Sequence, residues 1–259
     1  MAEPQILVRD VGRVRELTLS RPDKLNALND ELLRALAKAV EQAERDGVRA
    51  LILRGDGERA FSAGYDLGAL PDISSAALPD AVLEATLQKL DAAPFPILAL
   101  VNGHAFGGGL ELAARCDVRI GVANSKLGMP PAKLGIVYAP RGLARFWALL
   151  GPSAARRLFF TGEPIPADEA LRLGLLDEVL PSVADASARA WALAEQMAQN
   201  APLAVSGMRR IFGELEQSLL ASIDEVGISA LRRESFDSAD AREGRQAFLE
   251  KRAPQFRGL

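Results

Sequence analysis

Short apolar runs and amphipathic segments alternate through the first half of the chain. Uninterrupted apolar runs predict buried strands, and apolar positions that recur every three or four residues predict helices. Strands alternating with helices are typical of an α/β fold. The predicted strands are Arg13 to Ser20, Val48 to Leu53, Ile97 to Val101 and Val118 to Val122.

The first helix is the most completely specified element. Asn29 provides an N-cap, and Asp30 and Glu31 place negative charge in the first turn, where the helix dipole favours it. Gly47 is suited to end the helix. Its predicted buried stripe consists of Leu32, Leu33, Leu36, Ala39, Val40 and Ala43.

From Pro140 onward the pattern is almost entirely helical. Asp177 to Val183 forms the seam between the α/β part and a helical tail, so we predict domains at 1–180 and 181–259. The turn-rich stretch Pro71 to Pro79 is expected to be mobile. Separate helices are predicted at Ala81 to Ala92, Trp191 to Gln199, Leu203 to Leu220 and Ala239 to Arg252.

Composition narrows the class of protein. The formal charge of −3 lacks the basic excess of a general nucleic-acid binder. With Cys116 and His104 as the only residues of their types, neither an internal disulfide nor a structural zinc site is expected, and no metal is predicted. We interpret Cys116 as a residue of the apolar core rather than a nucleophile, and His104 as a structural residue of its turn. Without an apolar leader or a membrane-length run, we expect a cytoplasmic protein with no membrane partner.

A glycine-rich loop follows the strand Ile97 to Val101 and precedes a helix predicted over Leu110 to Arg115. Glycines let a backbone approach a ligand closely, and N–H groups at a helix N-terminus attract an oxyanion or phosphate. A tight turn that packs the helix on its strand is the alternative. The spacing matches neither a dinucleotide fingerprint nor a P-loop, and the chain has no G-x-S-x-G nucleophile elbow.

Glu111 lies two residues after the last glycine and is followed by apolar residues. Such an acid is a candidate general acid or base with a raised pKa. A solvated glutamate favoured by the helix dipole is the other interpretation.

Several segments, in order, together resemble the enoyl-CoA hydratase/isomerase (crotonase) superfamily. The resemblance implies a crotonase-like ββα spiral core over 1–180 and a C-terminal helical oligomerisation region over 181–259. It further implies an acyl-CoA substrate, no separate cofactor, and a homotrimer or dimer of trimers. The matching segments are Arg21 to Leu28, Phe61 to Leu67, Val101 to Leu112, Phe160 to Gly162, Ala167 to Ala170, Leu173 to Leu175 and Ala247 to Arg252.

The family mechanism uses two backbone N–H groups that hold the thioester oxygen as it becomes an oxyanion. Carried onto this chain, the resemblance implies Ala63 and Gly108 as these donors. It also implies a coenzyme A site, in which Phe248 and Lys251 reach the nucleotide from a neighbouring subunit. That site consists of Lys24, Ala60, Asp66, Leu67, Phe248 and Lys251.

The catalytic side chains depart from the hydratase pattern. Hydratases use two carboxylates; the first matches Glu111, but Pro131 stands at the second position. The only tyrosines, Tyr65 and Tyr138, both fall in the implied active-site loops, where a phenol can donate a proton or simply anchor a loop.

Other segments resemble methylmalonyl-CoA decarboxylase-like members of the superfamily, although these have a histidine where this chain has Tyr65. The segments are Gly135 to Tyr138, Ala201 to Ala204 and Phe236 to Phe256. Arg141 is a candidate for binding a substrate carboxylate, or a surface charge.

Three functions remain open from the sequence. The first is an enolate-forming enzyme that decarboxylates a (methyl)malonyl-type thioester, helped by an apolar wall with Met129 and Pro131. The second is a double-bond isomerase or weak hydratase that uses Glu111 alone. The third is a non-catalytic protein that binds coenzyme A or RNA.

Overall fold

The computed structural model describes residues 5–68, 78–221 and 223–258. Most of the predicted mobile stretch Pro71 to Pro79 lies outside the described residues. The described parts contain two β-sheets with helices packed around them, as expected for an α/β fold. No helix in these parts combines the length and apolar character needed to cross a membrane.

The larger sheet has six strands in the order β1-β2-β3-β5-β7-β10. The β1–β2 pair is antiparallel and every other pair is parallel. Helices cover both faces, which explains the near-continuous apolar runs in its central strands. The strands are β1 (Gln5–Val11), β2 (Val14–Ser20), β3 (Ala50–Gly55), β5 (Ile97–Val101), β7 (Val118–Val122) and β10 (Glu178–Leu180).

The smaller sheet has four short strands in the order β4-β6-β8-β9. Its β4–β6 and β6–β8 pairs are parallel, and its β8–β9 pair is antiparallel. It carries the start of the glycine-rich helix, because β6 runs directly into that helix. The strands are β4 (Ala60–Ser62), β6 (His104–Phe106), β8 (Lys126–Gly128) and β9 (Ile165–Pro166).

The two faces of the large sheet bury separate apolar clusters. Leu51 and Leu53 of β3 join the cluster that contains the first three helices, whereas Ile52 joins the opposite cluster. The opposite face is covered by α6, whose buried side chains are alanines and therefore allow close approach to the strands. The first three helices are α1 (Asp30–Arg45), α2 (Ala81–Ala92) and α3 (Gly107–Arg115), and α6 spans Val183–Gln199.

The remaining helices are α4 (Pro140–Thr161), α5 (Ala167–Arg172), α7 (Pro202–Ser218), α8 (Glu225–Asp237) and α9 (Ala239–Glu250). The long helix α4 is interrupted at Gly151, which has a φ of 71° and precedes Pro152. Helix α9 packs on a short 3-10 helix, Pro131–Leu134. Helix α7 has no buried residue and leaves a row of large apolar side chains exposed.

Four features differ from the sequence predictions. Strand β1 and the small sheet were not predicted, and α6 begins at Val183 rather than at Trp191. Helix α3 begins at Gly107 rather than at Leu110, so the three glycines form its first turn instead of a preceding loop. The predicted boundary between residues 180 and 181 stays a prediction, and α6, just after it, packs on the sheet of the preceding part.

Candidate active site

Glu111 and Tyr138 form a hydrogen-bonded pair in the interior of the molecule. Glu111, in α3, is 1% exposed, and the partly buried Tyr138 lies just before α4. The Tyr138 hydroxyl donates to Glu111 Oε2 at 2.6 Å. Glu111 Oε1 is buried and has no hydrogen-bond partner among the described residues. One carboxylate oxygen is therefore held by a phenol, and the other is available for a ligand.

The first turn of α4 and a pair of phenylalanines position this hydrogen bond. A Cβ at Gly142 would lie 2.6 Å from both Glu111 Oε1 and Tyr138 Cε1, so only glycine allows α4 to approach so closely. The Tyr138 ring packs edge-on against Phe159 with centroids 5.4 Å apart, and Phe159 packs in the same way against Phe146. The phenol is thus held in place by packing as well as by the carboxylate.

The surroundings raise the pKa of Glu111 to about 7, mainly through burial and then through the nearby Glu84 carboxylate. The hydrogen bond from Tyr138 and the charge of Arg115 act in the opposite direction. A carboxyl group with a pKa near neutrality can both accept and return a proton at physiological pH. Burial and the Glu111 charge also raise the pKa of Tyr138 well above its usual value, so the phenol stays protonated.

Glu84, which was not among the predicted site residues, is a second acidic residue beside Glu111. It lies in the first turn of α2, and burial followed by the charge of Asp80 raises its pKa. Its neighbour Leu83 packs against α3, and the contact is close: a Cβ added at Gly108 would lie only 3.0 Å from Leu83 Cδ2. Only the packing of α2 on α3 reveals this proximity, and the local sequence around Glu84 carries no signal for it.

The predicted role of the Ala63 amide as an oxyanion donor is contradicted by its hydrogen bond. Ala63 N donates to Leu25 O at 3.0 Å, and Gly64 N donates to Ser62 Oγ at 3.2 Å. Asp66 N donates to Leu28 O at 2.7 Å. Between these occupied amides, Tyr65 N has no hydrogen-bond partner in the described part of the chain. The free donor of this loop is therefore Tyr65 N, two residues later than predicted.

The other predicted donor, Gly108, is the second residue of α3, where a backbone N–H has no partner within the helix. The two loops are in direct contact: a Cβ at Gly64 would lie 2.8 Å from Phe106 O. A Cβ at Gly109 would lie 2.5 Å from Ser62 Cβ. The glycines therefore allow the start of α3 to pack against the loop that carries Tyr65 N.

The Tyr65 side chain points to a different partner from Tyr138. Its hydroxyl donates to Asp30 Oδ1 at the start of α1, and the half-buried ring packs against the main core cluster. Burial and this hydrogen bond raise the pKa of Tyr65 above its ordinary value. A catalytic role of the Tyr65 phenol stays a prediction, and the structure assigns its hydroxyl to anchoring the loop on α1.

Four of the predicted coenzyme A residues lie near the start of the chain and around residues 63–66, the loop that carries Tyr65 N (the oxyanion loop). Lys24 is exposed at the end of a 3-10 helix, and Ala60 is buried in β4. Asp66 Oδ2 accepts from Arg21 Nη2 at 3.1 Å, which ties the segment containing Lys24 to the oxyanion loop. Leu67 is partly exposed beside it. Their contact with a nucleotide stays a prediction.

Phe248 and Lys251 lie at the exposed C-terminal end of α9. Phe248 is 62% exposed, unlike its buried neighbour Ala247. An exposed aromatic residue beside a lysine at a helix end fits the predicted contact with a second molecule. Whether that molecule is a neighbouring subunit's coenzyme A stays a prediction.

The remaining candidates have structural surroundings. His104 Nδ1 accepts from Lys126 N at 3.1 Å and so joins β6 to β8. Cys116 is fully buried, and this burial raises the pKa of its thiol to about 12, so no reactive thiolate forms. Met129 and Pro131 are both buried. Within the described ranges, no three His, Cys, Asp or Glu residues cluster as metal ligands do.

Comparisons with known proteins give a consistent result. Residues 10–258 match the family model described as enoyl-CoA hydratase/isomerase. A probable enoyl-CoA hydratase of Bacillus subtilis is 36% identical over 250 residues, 95% of each chain, and the carnitinyl-CoA dehydratase of Salmonella typhi is 36% identical over the full length of both. The crystal structure of methylmalonyl-CoA decarboxylase complexed with 2S-carboxypropyl-CoA superposes with a TM-score of 0.92 at 30% identity, with both chains fully covered.

Proposed function

The chain belongs to the enoyl-CoA hydratase/isomerase family, and we propose that it uses the Glu111–Tyr138 pair to move a proton at the acyl group of a coenzyme A thioester. The observation that carries this proposal is a buried carboxyl group with one oxygen held by Tyr138, the other unpartnered, and a pKa of about 7. A non-catalytic binding protein would gain nothing from this arrangement, because an unpartnered buried carboxylate is costly.

The thioester oxygen would accept hydrogen bonds from Tyr65 N and Gly108 N. Both amides lack a partner among the described residues, and their loops are in contact. Each preorganised donor of this type contributes about 10²–10³ in rate by stabilising the oxyanion of an enolate. Because the donors are backbone groups, the bulky Tyr65 side chain can lie on α1 without affecting its amide.

Decarboxylation of a malonyl-type thioester is the first reaction that fits. The bond between the α-carbon and the carboxylate breaks, its electron pair enters the enolate, and carbon dioxide leaves. The α-carbon then takes a proton, for which Glu111 and Tyr138 are the nearby donors. The similarity to methylmalonyl-CoA decarboxylase along the whole chain supports this reaction.

Isomerisation or hydration of an enoyl thioester is the second, and a different observation favours it. A carboxyl group with a pKa near 7 suits proton transfer in both directions, and the Bacillus subtilis and Salmonella typhi relatives are named as a probable hydratase and a dehydratase. Pro131 provides no second carboxylate, but Glu84 lies close enough to Glu111 to affect its pKa. In the isomerisation Glu111 would take a proton from one carbon and return it to another. In the hydration it would take a proton from the water whose oxygen adds to the β-carbon, and return that proton to the α-carbon.

Separate incubations with methylmalonyl-CoA, crotonyl-CoA and a 3-enoyl-CoA distinguish these reactions. Mass spectrometry identifies loss of carbon dioxide or gain of water, and chromatography resolves the double-bond isomers. Turnover of at least one thioester is the expected result. No turnover of any of them, by a folded protein that binds coenzyme A esters, would contradict the proposed chemistry.

We also propose that the chain assembles as a homotrimer or a dimer of trimers through its C-terminal helices. Helix α7 exposes apolar side chains that a free monomer would leave in water, among them Leu203, Ile211, Phe212 and Leu215. Analytical ultracentrifugation tests the assembly. A monomer at micromolar concentration would contradict it.

A further inference from the structure

A cavity of about 1060 Å³ lies between the C-terminal ends of α2 and α3, the start of α4, and α7. Glu111 and Tyr138 do not line it. Arg115, one helical turn after Glu111 on the same face of α3, lines the cavity and places its Nη2 atom 3.9 Å from Glu111 Oε1. Arg115 therefore stands between the reaction centre and the cavity.

Arg115 is buried, at 7% exposure, yet uses only part of its hydrogen-bonding capacity. Its Nη1 donates to Asp91 Oδ2 at 3.3 Å. Its Nε and Nη2 are buried and have no hydrogen-bond partner among the described residues, and the 3.9 Å to Glu111 exceeds a hydrogen bond. Leaving such charged donors unpartnered in the interior costs free energy.

The two unpartnered atoms are the pair that binds a carboxylate side-on. Elsewhere in this chain, Arg15 donates from Nε and Nη2 to the two carboxylate oxygens of Asp10, both at 2.7 Å. Arg189 uses the same two atoms on Glu178, at 2.7 and 2.6 Å. Bidentate pairs of this type are strong and select planar anions with two oxygens. On Arg115 neither atom of this edge makes a hydrogen bond within the described residues, and the nearest carboxylate oxygen is Glu111 Oε1, 3.9 Å from Nη2.

The surrounding charge also favours an anion. Arg141 and Arg145 line the same cavity, and among the described residues Arg141 makes no ion pair. Burial is the main reason that the pKa of Arg145 falls to about 10, and the positive charges of Arg119 and Arg115 add to this effect. The acidic residues of the lining oppose this tendency in part, but the arginines outnumber them. The acids are Asp91, Asp117, Glu214 and Glu216, and the arginines are Arg115, Arg119, Arg141, Arg145, Arg209 and Arg210.

We infer that the Nε–Nη2 edge of Arg115 binds a carboxylate at the far end of the substrate's acyl group, so that the preferred thioesters are ω-carboxyacyl-CoA esters. Helical side chains lean toward the N-terminus, and Arg115 Nη2 lies 3.9 Å from Glu111 Oε1, so this carboxylate lies beyond the carbon at which Glu111 acts, on the side away from Gly108. The inference rests on the proposed function, because it assumes that the thioester end lies at Gly108 and Glu111.

Equilibrium binding tests the inference without requiring turnover. The probes are glutaryl-, adipyl- and pimelyl-CoA, each compared with the uncharged acyl-CoA of equal length: pentanoyl, hexanoyl and heptanoyl. Isothermal titration calorimetry on the intact protein should show at least one ω-carboxyl ester binding about tenfold or more tightly than its counterpart, as a charged hydrogen-bonded pair provides. Equal or weaker binding of all three would overturn the inference.

Two variants then assign the preference to Arg115. Arg115→Met should remove it and leave the uncharged esters bound as before, whereas Arg115→Lys should restore part of it. Arg210→Met is the matched control, because Arg210 lines the same cavity but is exposed and paired with Glu214. This variant should keep the wild-type preference for ω-carboxyl esters. If Arg115→Met weakened both kinds of ester equally, Arg115 would be structural and the inference wrong.

Failure of the proposed function gives a different result. In that case none of the three assay thioesters is turned over, whatever the binding data show. Turnover of crotonyl-CoA without any preference for an ω-carboxylate would leave the proposed function standing and overturn only the role of Arg115.

Discussion

The Tyr138 hydroxyl lies 2.6 Å from Glu111 Oε2 and donates to it, although 27 residues separate the two in sequence. This bond places a protonated phenol and a carboxyl group with a pKa near 7 beside an unpartnered oxygen. Burial leaves the Glu111 carboxyl group partly protonated near pH 7, where water would leave it ionised, and it keeps the Tyr138 phenol protonated. The pair is therefore the most direct target for testing the proposed chemistry.

Glu111→Gln should reduce turnover far more than binding. Glutamine fills nearly the same volume but cannot take or give the proton, so we expect kcat to fall by about 10²–10⁴ while the affinity for acyl-CoA stays within a few-fold. Steady-state kinetics and calorimetry measure the two quantities. Near-normal kcat in a correctly folded variant would refute the acid–base role of Glu111.

The same variant should alter how stability depends on pH. In the folded state the pKa of Glu111 is about 7, above its ordinary value of 4.5. The protonated group therefore contributes to the free energy of unfolding, and this contribution is fully present below pH 4.5 and is lost as the pH rises through 7. Glutamine does not titrate. Glu111→Gln should therefore gain about 3 kcal/mol relative to the wild type between pH 4.5 and 8.

Urea unfolding of both proteins at pH 5 and pH 8.5 measures this difference. Other titrating groups are common to the two chains and largely cancel in the comparison. A difference in unfolding free energy that does not change with pH would mean that the pKa of Glu111 is not raised by folding.

Tyr138→Phe should slow the reaction by about tenfold to a hundredfold, as expected for the loss of a hydrogen bond to a charged group. Because the Tyr138 hydroxyl lowers the pKa of Glu111, its removal should raise that pKa further. The limb of the rate profile that Glu111 controls should therefore move to higher pH: the acidic limb where Glu111 acts as a base, the alkaline limb where it donates the proton. The measurement is kcat/KM against pH with whichever thioester the wild type turns over.

Tyr65→Phe provides the comparison for Tyr138→Phe. The Tyr65 hydroxyl is hydrogen-bonded to Asp30 rather than to Glu111, so its removal should leave the position of the limb that Glu111 controls unchanged. A Tyr138→Phe profile that coincides with the wild-type profile would remove Tyr138 from the proposed mechanism.

The elements that could be predicted from the sequence are those whose signals are local. Asn29 was predicted to cap α1, and its side chain accepts from Leu32 N at 2.9 Å. The small sheet gave no such signal, because its strands have two or three residues and depend on distant pairings such as Ala60 with His104. Short strands of this kind lack the length over which alternation can be recognised.

The same distinction applies to the site. Glu111 could be proposed from its apolar neighbours beside three glycines, whereas the choice between the amides of Ala63 and Tyr65 depends on a hydrogen bond to Leu25, which is distant in sequence. Glu84 was missed because only the packing of α2 on α3 brings it near Glu111. Contacts between elements decide which group is free, and the residue pattern does not contain them.

Gly109→Ala should separate the role of the glycines in packing from their role in helix flexibility. An added Cβ would lie 2.5 Å from Ser62 Cβ and 2.8 Å from Ser62 O, so α3 must move away from β4, at a cost of about 1–3 kcal/mol. The same movement displaces Gly108 N, so kcat/KM should fall together with stability. Gly207→Ala is the matched control: no atom lies within 4 Å of its added Cβ, and an alanine within the exposed helix α7 should stabilise by up to about 1 kcal/mol. Urea unfolding and kcat/KM of both variants test this, and a Gly109→Ala protein as stable and active as Gly207→Ala would show that α3 does not depend on this close approach.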